Sequence, residues 1–219
     1  MSGMDNNLIG YVSSLVLVTV GLGLACARLA RIARERDDLA ARLEKSAAAN
    51  EELKKLALYD WLTGLPNRLL LEDRINQAIA KAQREQGRFV VLFLDLDCFK
   101  MVNDKFGHAT GDLLLNQIAL RLSENLRHHD TVARMGGDEF VVVAEVSTSQ
   151  DISAICDKVA QSFSNPFLIA EKTLAIHASI GRAQYPEDGQ SIEDLLSKAD
   201  DGMYNLKNGK RLDANYIMG

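Results

Sequence analysis

Phe89-Val90-Val91-Leu92-Phe93-Leu94 is followed at once by Asp95-Leu96-Asp97. The first six residues form a continuous apolar run, the pattern of a strand buried on both faces. Two-residue spacing in an extended chain sets the carboxylates of Asp95 and Asp97 on one face. Adjacent anions at a strand end are costly unless something positive sits there. This stretch therefore marks the centre of a sheet and the rim of a charged site.

Working outward, Thr63-Gly64-Leu65-Pro66-Asn67 is turn-rich, and Arg68 to Gln86 reads as a helix that Gly87 stops. Leu70, Ile75 and Ile79 share one face of it. Downstream, Gly111 to Arg127 has helical Leu/Ile spacing. Thr131–Arg134 and Phe140–Ala144 read as strands joined across Gly136-Gly137, a hairpin signal. Ser149 to Phe163 reads as a helix, Leu174 to Ala183 alternates like a strand, and Ile192 to Leu206 is the last helix. The order strand, helix, hairpin, helix, strand predicts an α+β, ferredoxin-like fold: a central, mostly antiparallel sheet flanked by helices on the split βαβ plan.

Of 219 residues, 47% are hydrophobic and 25% charged, so a wholly disordered chain is excluded. At roughly 150 residues per domain, one domain with an appendage is expected. Lys plus Arg number 25 against 30 Asp plus Glu, a net charge of −5. That balance argues against a basic nucleic-acid-binding face, so no nucleic-acid partner is expected. Cys26, Cys98 and Cys156 form no CxxC pair, so neither a zinc site nor a disulfide framework is indicated.

The appendage has two parts. Leu8 to Ala27 is a run of 20 uncharged residues. At about 1.5 Å per residue it spans about 30 Å, the hydrocarbon thickness. Asp5 alone is charged before it, whereas Arg28, Arg31, Arg34 and Arg36 follow. The positive-inside rule then places the amino terminus outside and the rest in the cytoplasm, on the inner membrane. A cleaved signal peptide would carry its positive charge before the run. Gly21/Ala25 and Gly23/Ala27 are small-xxx-small pairs suited to helix contact. With so little chain before the span, no sensor domain is expected on the far side. Residues 28–58 lack Pro and Gly and repeat Leu29, Arg36, Leu43, Asn50, Ala57 and Ile32, Leu39, Ser46, Leu53 every seven residues. That a/d seam predicts a parallel coiled-coil stalk and a homodimer; the alternative is a single amphipathic helix lying on its own domain. Residues 59–215 remain for the globular domain.

The chemistry gathers at the strand tips. Asp138 and Glu139 lie at the hairpin turn. If that hairpin flanks the central strand, three or four carboxylates converge, a hard oxygen set suited to Mg²⁺. A hydroxyl attacking phosphorus could then be served by two ions.

Arg134-Met135-Gly136-Gly137-Asp138-Glu139-Phe140 resembles the signature of the GGDEF family, the diguanylate cyclases. Asp60-Trp61-Leu62-Thr63-Gly64-Leu65-Pro66-Asn67-Arg68 is similar to the family's opening motif. Asp95-Leu96-Asp97 with Phe99-Lys100 and Asn103-Asp104 resembles its metal- and base-binding stretch. Gly107-His108, Gly111-Asp112, Ser179-Ile180-Gly181 and Ala199-Asp200 with Met203-Tyr204 follow in the family's order. Six ordered motifs over one domain are far more specific than the pentapeptide alone.

The resemblance implies a palm-like fold and the condensation of two GTP into cyclic di-GMP and two pyrophosphates, at the interface of a homodimer. It implies that Asp95, the Leu96 carbonyl and Asp138 hold Mg²⁺, with Mn²⁺ as a substitute. Asp138, with Glu139 beside it, is the candidate for helping to deprotonate the 3′-hydroxyl. Asn103 and Asp112 match a guanine-reading pair, although alone they read as a turn former and a first-turn helix residue. Lys100 and Lys207 match phosphate-contacting positions; otherwise each is a surface lysine. His108 matches a position near the nucleotide and could equally cap or pack. Gly136 and Gly137, without Cβ atoms, let phosphate or ribose approach. Arg127 and Asp130 resemble the family's inhibitory RxxD site, which binds cyclic di-GMP.

Two features depart from the family. Leu206-Lys207-Asn208-Gly209-Lys210-Arg211 is one residue shorter than the usual ending, which leaves Lys210 and Arg211 without an assigned phosphate contact. Gly202 replaces a usual Ala, which weakens that helix by about 1 kcal/mol. No phosphodiesterase domain is expected to follow. The rival readings are a catalytically silent receptor for GTP or cyclic di-GMP, and a membrane-tethered structural dimer carrying a relic domain.

Overall fold

The computed structural model describes the backbone of residues 3–209 and the side chains of residues 14–208. The chain divides into two compact units after Lys54. The first is helical. One helix, α1 (Gly3–Leu58), runs through the apolar stretch and the heptads without a break. Thr19, within the apolar stretch, donates its hydroxyl to the carbonyls of Leu15 and Val16, so that hydroxyl is satisfied on its own helix. Leu15, Leu17, Leu22 and Leu24 are exposed, as are Leu29, Ile32, Leu39, Leu43 and Leu53 of the heptad series. By length and composition this helix can cross a membrane.

The second unit is an α+β sandwich. In chain order it holds α2 (Arg68–Glu85), β1 (Arg88–Leu96), α3 (Phe99–Phe106), α4 (His108–Asn125), β2 (Thr131–Gly136), β3 (Glu139–Val146), α5 (Ser149–Gln161), β4 (Phe167–Ile169), β5 (Lys172–Leu174), β6 (Ala178–Tyr185) and α6 (Ile192–Gly209). The main sheet has the order β2-β3-β1-β6 and every neighbouring pair is antiparallel. That is the expected split βαβ plan, with a small β4-β5 ribbon added.

Period-two alternation along β1 builds two cores. Val90, Leu92, Leu94 and Leu96 face one way and pack with Val102, Leu114, Ile118, Ile152 and Val159 from α3, α4 and α5. Phe89, Val91 and Phe93 face the other way and pack with Leu71 and Ile75 of α2 and Leu195, Ala199 and Met203 of α6. Asp95 and Asp97 continue the odd-numbered series. They lie on the α2/α6 side and are 8% and 5% exposed.

Several boundaries differ from the sequence reading. The helix expected from Gly111 begins at His108, because Gly107, at φ +86°, turns the chain directly out of α3. Helix α3 itself is only eight residues long, too short for periodicity to announce. The strand expected over Leu174–Ala183 is two pieces: β5 ends at Leu174 and β6 starts at Ala178. Between them Ile176 is buried and continues the alternation from Leu174 outside either ladder. The hairpin turns at Gly137-Asp138, since Gly136 still pairs with Glu139 across a register shift after Arg134.

Candidate active site

Asp95 is the last acidic residue inside β1. The ladders put Glu139 of β3 opposite it on one side and Ser179 of β6 on the other. The Leu96 N–H donates to the Asp138 carbonyl at 3.3 Å, which draws the hairpin turn against the end of β1. Lys207, in the last turn of α6, reaches back with its Nζ 2.5 Å from Asp95 Oδ1. Asp97 accepts from the Ser179 hydroxyl at 2.7 Å, and its N–H donates to the His177 carbonyl. Asp95 and Asp97 thus share a face, as the spacing required, but have separate partners.

The electrostatics of this corner are those of crowded anions. Burial, then the Asp95 charge, raise the Asp138 carboxyl above its ordinary value. Burial raises Glu139 too, followed by Asp95, Asp138 and Asp200. Burial works against the Lys207 ammonium, but its bond to Asp95 and the charges of Asp95, Asp138 and Asp97 outweigh that and raise it. A cluster that raises its own carboxyls and gathers a lysine is one that attracts a cation. Among the described residues no three His, Cys, Asp or Glu side chains meet as metal ligands. The carboxylates that crowd this corner are Asp95, Asp138 and Glu139. Such a set suits Mg²⁺, which is commonly held by one or two carboxylates together with substrate phosphates.

Gly136 and Gly137 have φ of +148° and +52°, and a Cβ on either would meet nothing within 4 Å. The turn needs glycine for its backbone conformation and leaves open space above it. The α3–α4 corner is tighter. A Cβ on Gly111 would run into Asn103 Oδ1 and the Phe99 ring, so glycine is what lets the two helices close. Asn103 Oδ1 is buried and has no hydrogen-bond partner among the described residues. A buried orphan acceptor is uncommon and asks for a donor. Asp112 follows Gly111 in the first turn of α4 and is half-buried, whereas Lys100 and His108 are exposed.

Away from this corner, the Arg127 N–H donates to Asp130 Oδ2 at 2.9 Å. Asp130 Oδ1 is buried without a hydrogen-bond partner, although its side chain is only 2% exposed and His129 Nε2 stands 3.8 Å away. Arg127 and Asp130 line a cavity of about 730 Å³ together with Tyr59, Arg74, His128 and His129. Lys210 and Arg211 lie outside the described residues.

Residues 57–212 match the family model described as diguanylate cyclase, GGDEF domain. The chain belongs to the GGDEF family. The chain is similar to the bifunctional diguanylate cyclase/cyclic di-GMP phosphodiesterase MucR of Pseudomonas aeruginosa, at 45% identity over 95% of this chain and 30% of MucR. It is also similar to the diguanylate cyclase TpbB of the same organism, at 40% identity over 74% of this chain and 38% of TpbB. The chain thus spans about a third of the length of these curated relatives. Other relatives are named phosphodiesterases, such as NbdA at 35% identity. Among solved structures, the GGDEF domain of TpbB matches with a TM-score of 0.67 and 39% identity, over 70% of this chain and 90% of that one. The coiled coil and GGDEF domain of DgcB from Caulobacter crescentus, in complex with c-di-GMP, match with a TM-score of 0.74 and 25% identity, over 82% and 96%. The GGDEF fold, a palm-like antiparallel sheet flanked by helices, is common to these structures and this chain; the DgcB structure also carries a coiled coil, and this chain a long first helix.

Reading the sequence alone missed two features of the GGDEF site. The Lys207–Asp95 pair joins residues far apart in the chain, and only the packing of α6 on β6 brings them together. Arg134 and Asp60 stood in quoted motifs without a role; they are paired at 2.9 Å.

Proposed function

We propose that this chain is a membrane-anchored diguanylate cyclase that condenses two GTP into cyclic di-GMP and two pyrophosphates. Residues 8–27 cross the inner membrane, 28–58 form a parallel coiled-coil stalk, and 59–215 form the cytoplasmic catalytic domain. The observation that carries this reading is the strand-end corner, where Asp95, Glu139 and Asp138 stand together and Lys207 answers their charge. The exposed heptad residues of α1 support pairing of two stalks, which raises the effective concentration of the two domains.

Asn103 and Asp112 read guanine: the orphan Asn103 Oδ1 accepts from the base, and the Asp112 carboxylate meets its donor edge. Lys100 and Lys207 neutralise phosphate charge, while His108 lies beside the nucleotide. Gly136 and Gly137 give ribose and phosphate room to approach. Asp95, the Leu96 carbonyl and Asp138 hold Mg²⁺, or Mn²⁺ in its place. Bound there, the ion lowers the charge on the phosphates and polarises the phosphorus under attack. Asp138, assisted by Glu139, accepts the proton of the 3′-hydroxyl. The 3′-oxygen then bonds to the α-phosphorus of the GTP on the facing protomer as the bond to pyrophosphate breaks, and a second transfer closes the ring.

Arg127 and Asp130 bind the product and inhibit. An Arg can grip phosphate bidentately or stack on guanine, and the buried, unpartnered Asp130 Oδ1 offers an acceptor to a base.

The test incubates the full chain, in detergent or nanodiscs, with GTP and Mg²⁺ and follows nucleotides by chromatography. Formation of cyclic di-GMP supports the cyclase. Nucleotide binding without turnover would make it a silent receptor, and neither would make it a structural relic.

A further inference from the structure

The turn Arg127-His128-His129-Asp130 is closed by two hydrogen bonds. The Arg127 N–H donates to Asp130 Oδ2 and the Asp130 N–H donates to the Arg127 carbonyl, both at 2.9 Å. His128 and His129 are its two central residues. Both line the cavity of about 730 Å³ that also holds Tyr59 and Arg74. His129 and Arg127 line a neighbouring cavity of about 290 Å³ as well, so these two residues form a wall common to both.

The charges that face the histidines come from several elements. Arg74 of α2 lies in the larger cavity, and its Nη1 donates to the neutral Gln77 amide at 3.2 Å. Asp130 Oδ1, buried and without a hydrogen-bond partner, stands 3.8 Å from His129 Nε2. Tyr59, just beyond α1, brings a phenol. In the smaller cavity Lys81 of α2 is paired with Glu145 of β3 at 2.6 Å, and Arg88 of β1 with Glu187 at 3.0 Å. The Glu85 charge bears on Lys81, and Asp151 of α5 feels the charge of Arg127. Carboxylates, phenols, ammoniums and guanidiniums ordinarily keep their charge between about pH 5 and pH 8, whereas imidazole changes its charge there.

In the larger cavity Arg74 and Arg127, set against Asp130, leave one net positive charge while both imidazoles are neutral, and three once both are protonated. Cyclic di-GMP carries two phosphodiester charges, which persist over the whole range. We infer that His128 and His129 are binding residues of the product site and make it proton-linked, so that cyclic di-GMP binds more tightly, and inhibits more strongly, as the medium turns acid. This rests on the reading of Arg127 and Asp130 as the product site. A protonated His129 is also close enough to pair with Asp130 Oδ1, and the second lone pair of that oxygen stays available to a base. The sign follows from linkage. A ligand that favours imidazolium binds best below the ordinary imidazole pKa of about 6.5, and the gain is lost as pH rises through the higher value that holds in the complex.

The experiment titrates cyclic di-GMP into the full chain in detergent by calorimetry, without GTP, at about pH 5.5 and about pH 8 and in two buffers of different protonation enthalpy. The wild-type Kd is expected to be about tenfold lower at the acid pH, about threefold from each imidazole, with net proton uptake on binding near about pH 6.5. His128→Gln and His129→Gln should each retain a gap of about threefold, and the double Gln variant less than about twofold. The double variant His128→Lys/His129→Lys, whose charge is fixed, should bind at about pH 8 within about threefold of the wild type at about pH 5.5. A wild-type affinity that changes by less than about twofold, or a double Gln variant that keeps the full gap, overturns the proton link. If Arg127→Ala still abolishes binding in that case, the product site itself stands. A wild type that binds no cyclic di-GMP at either pH, or binding undiminished in Arg127→Ala, defeats the product-site reading, and the role of the histidines falls with it.

Discussion

Two glycines that touch each other are expected to respond in opposite ways to one methyl group. Gly181 lies in β6 opposite Phe93, and a Cβ there would run into the Ala199 carbonyl and the Met203 N–H of α6. Those are backbone atoms, so no rotamer change can yield, and α6 must withdraw from the sheet. Overpacking of this kind costs about 1–3 kcal/mol, and a backbone obstacle places Gly181→Ala near about 3 kcal/mol. For a domain of this size each kcal/mol moves Tm by about 2–4 °C, so Tm should fall by about 6–12 °C. Gly202 sits on α6 with its position for a Cβ 3.5 Å from Gly181 Cα and 3.6 Å from the Arg182 nitrogen, ordinary contact distances. Gly202→Ala then gains helix propensity of about 1 kcal/mol without a clash, and Tm should rise by about 2–4 °C. The assay is thermal unfolding of the full chain followed by circular dichroism. Because α6 also carries Lys207 to Asp95, Gly181→Ala should lower turnover as well, while Gly202→Ala should leave the pair intact. Equal shifts of Tm for the two variants, or a Gly181→Ala variant within about 2 °C of its parent, would refute the packing argument.

The remaining predictions concern charge, product and membrane. Asp138 and Glu139 bind their protons more tightly folded than unfolded, so their contribution favours folding below the unfolded carboxyl pKa and is lost as pH rises through the folded values. Metal-free Asp138→Asn should therefore melt above the wild type at pH 7, the gap closing on acidification, while turnover disappears; a lower melting point or retained turnover would contradict this. Arg127→Ala should keep turning over at cyclic di-GMP concentrations that halt the parent, and unaltered inhibition would remove the RxxD site. The full chain should sediment with membranes and resist carbonate extraction. Leu15→Arg with Leu17→Arg should release it, since each Arg at mid-span costs about 2.5–3.5 kcal/mol of insertion; a parent found in the soluble fraction would end the anchor reading.

The central strand was legible because six consecutive apolar residues admit few alternatives, and Asp95 and Asp97 share a face by the alternation of an extended chain. The antiparallel plan followed from the order of elements. Local reading failed where structure depends on distant contacts or on very short pieces. Eight-residue α3 and the three-residue strands β4 and β5 are too brief for a period to show. The hairpin turn fell one residue later than the glycine pair suggested, on Gly137-Asp138, because Met135 is absorbed by the shift between Arg134 and Gly136, which spacing alone does not reveal. At the site, motif order marked Asp95, Asn103, Asp112 and Asp138. That Lys207 answers Asp95 and that Arg134 grips both Asp60 and Gly137 are facts of tertiary packing, with no local pattern to announce them.

The most direct measurement is calorimetric titration of Mn²⁺ into the full chain saturated with a non-hydrolysable GTP analogue, alongside Asp95→Asn and Asp138→Asn variants. Heat of binding in the parent that is lost in both variants is the predicted result. Identical binding in all three proteins would mean that these two side chains do not share a cation, and the cyclase mechanism would have to be given up.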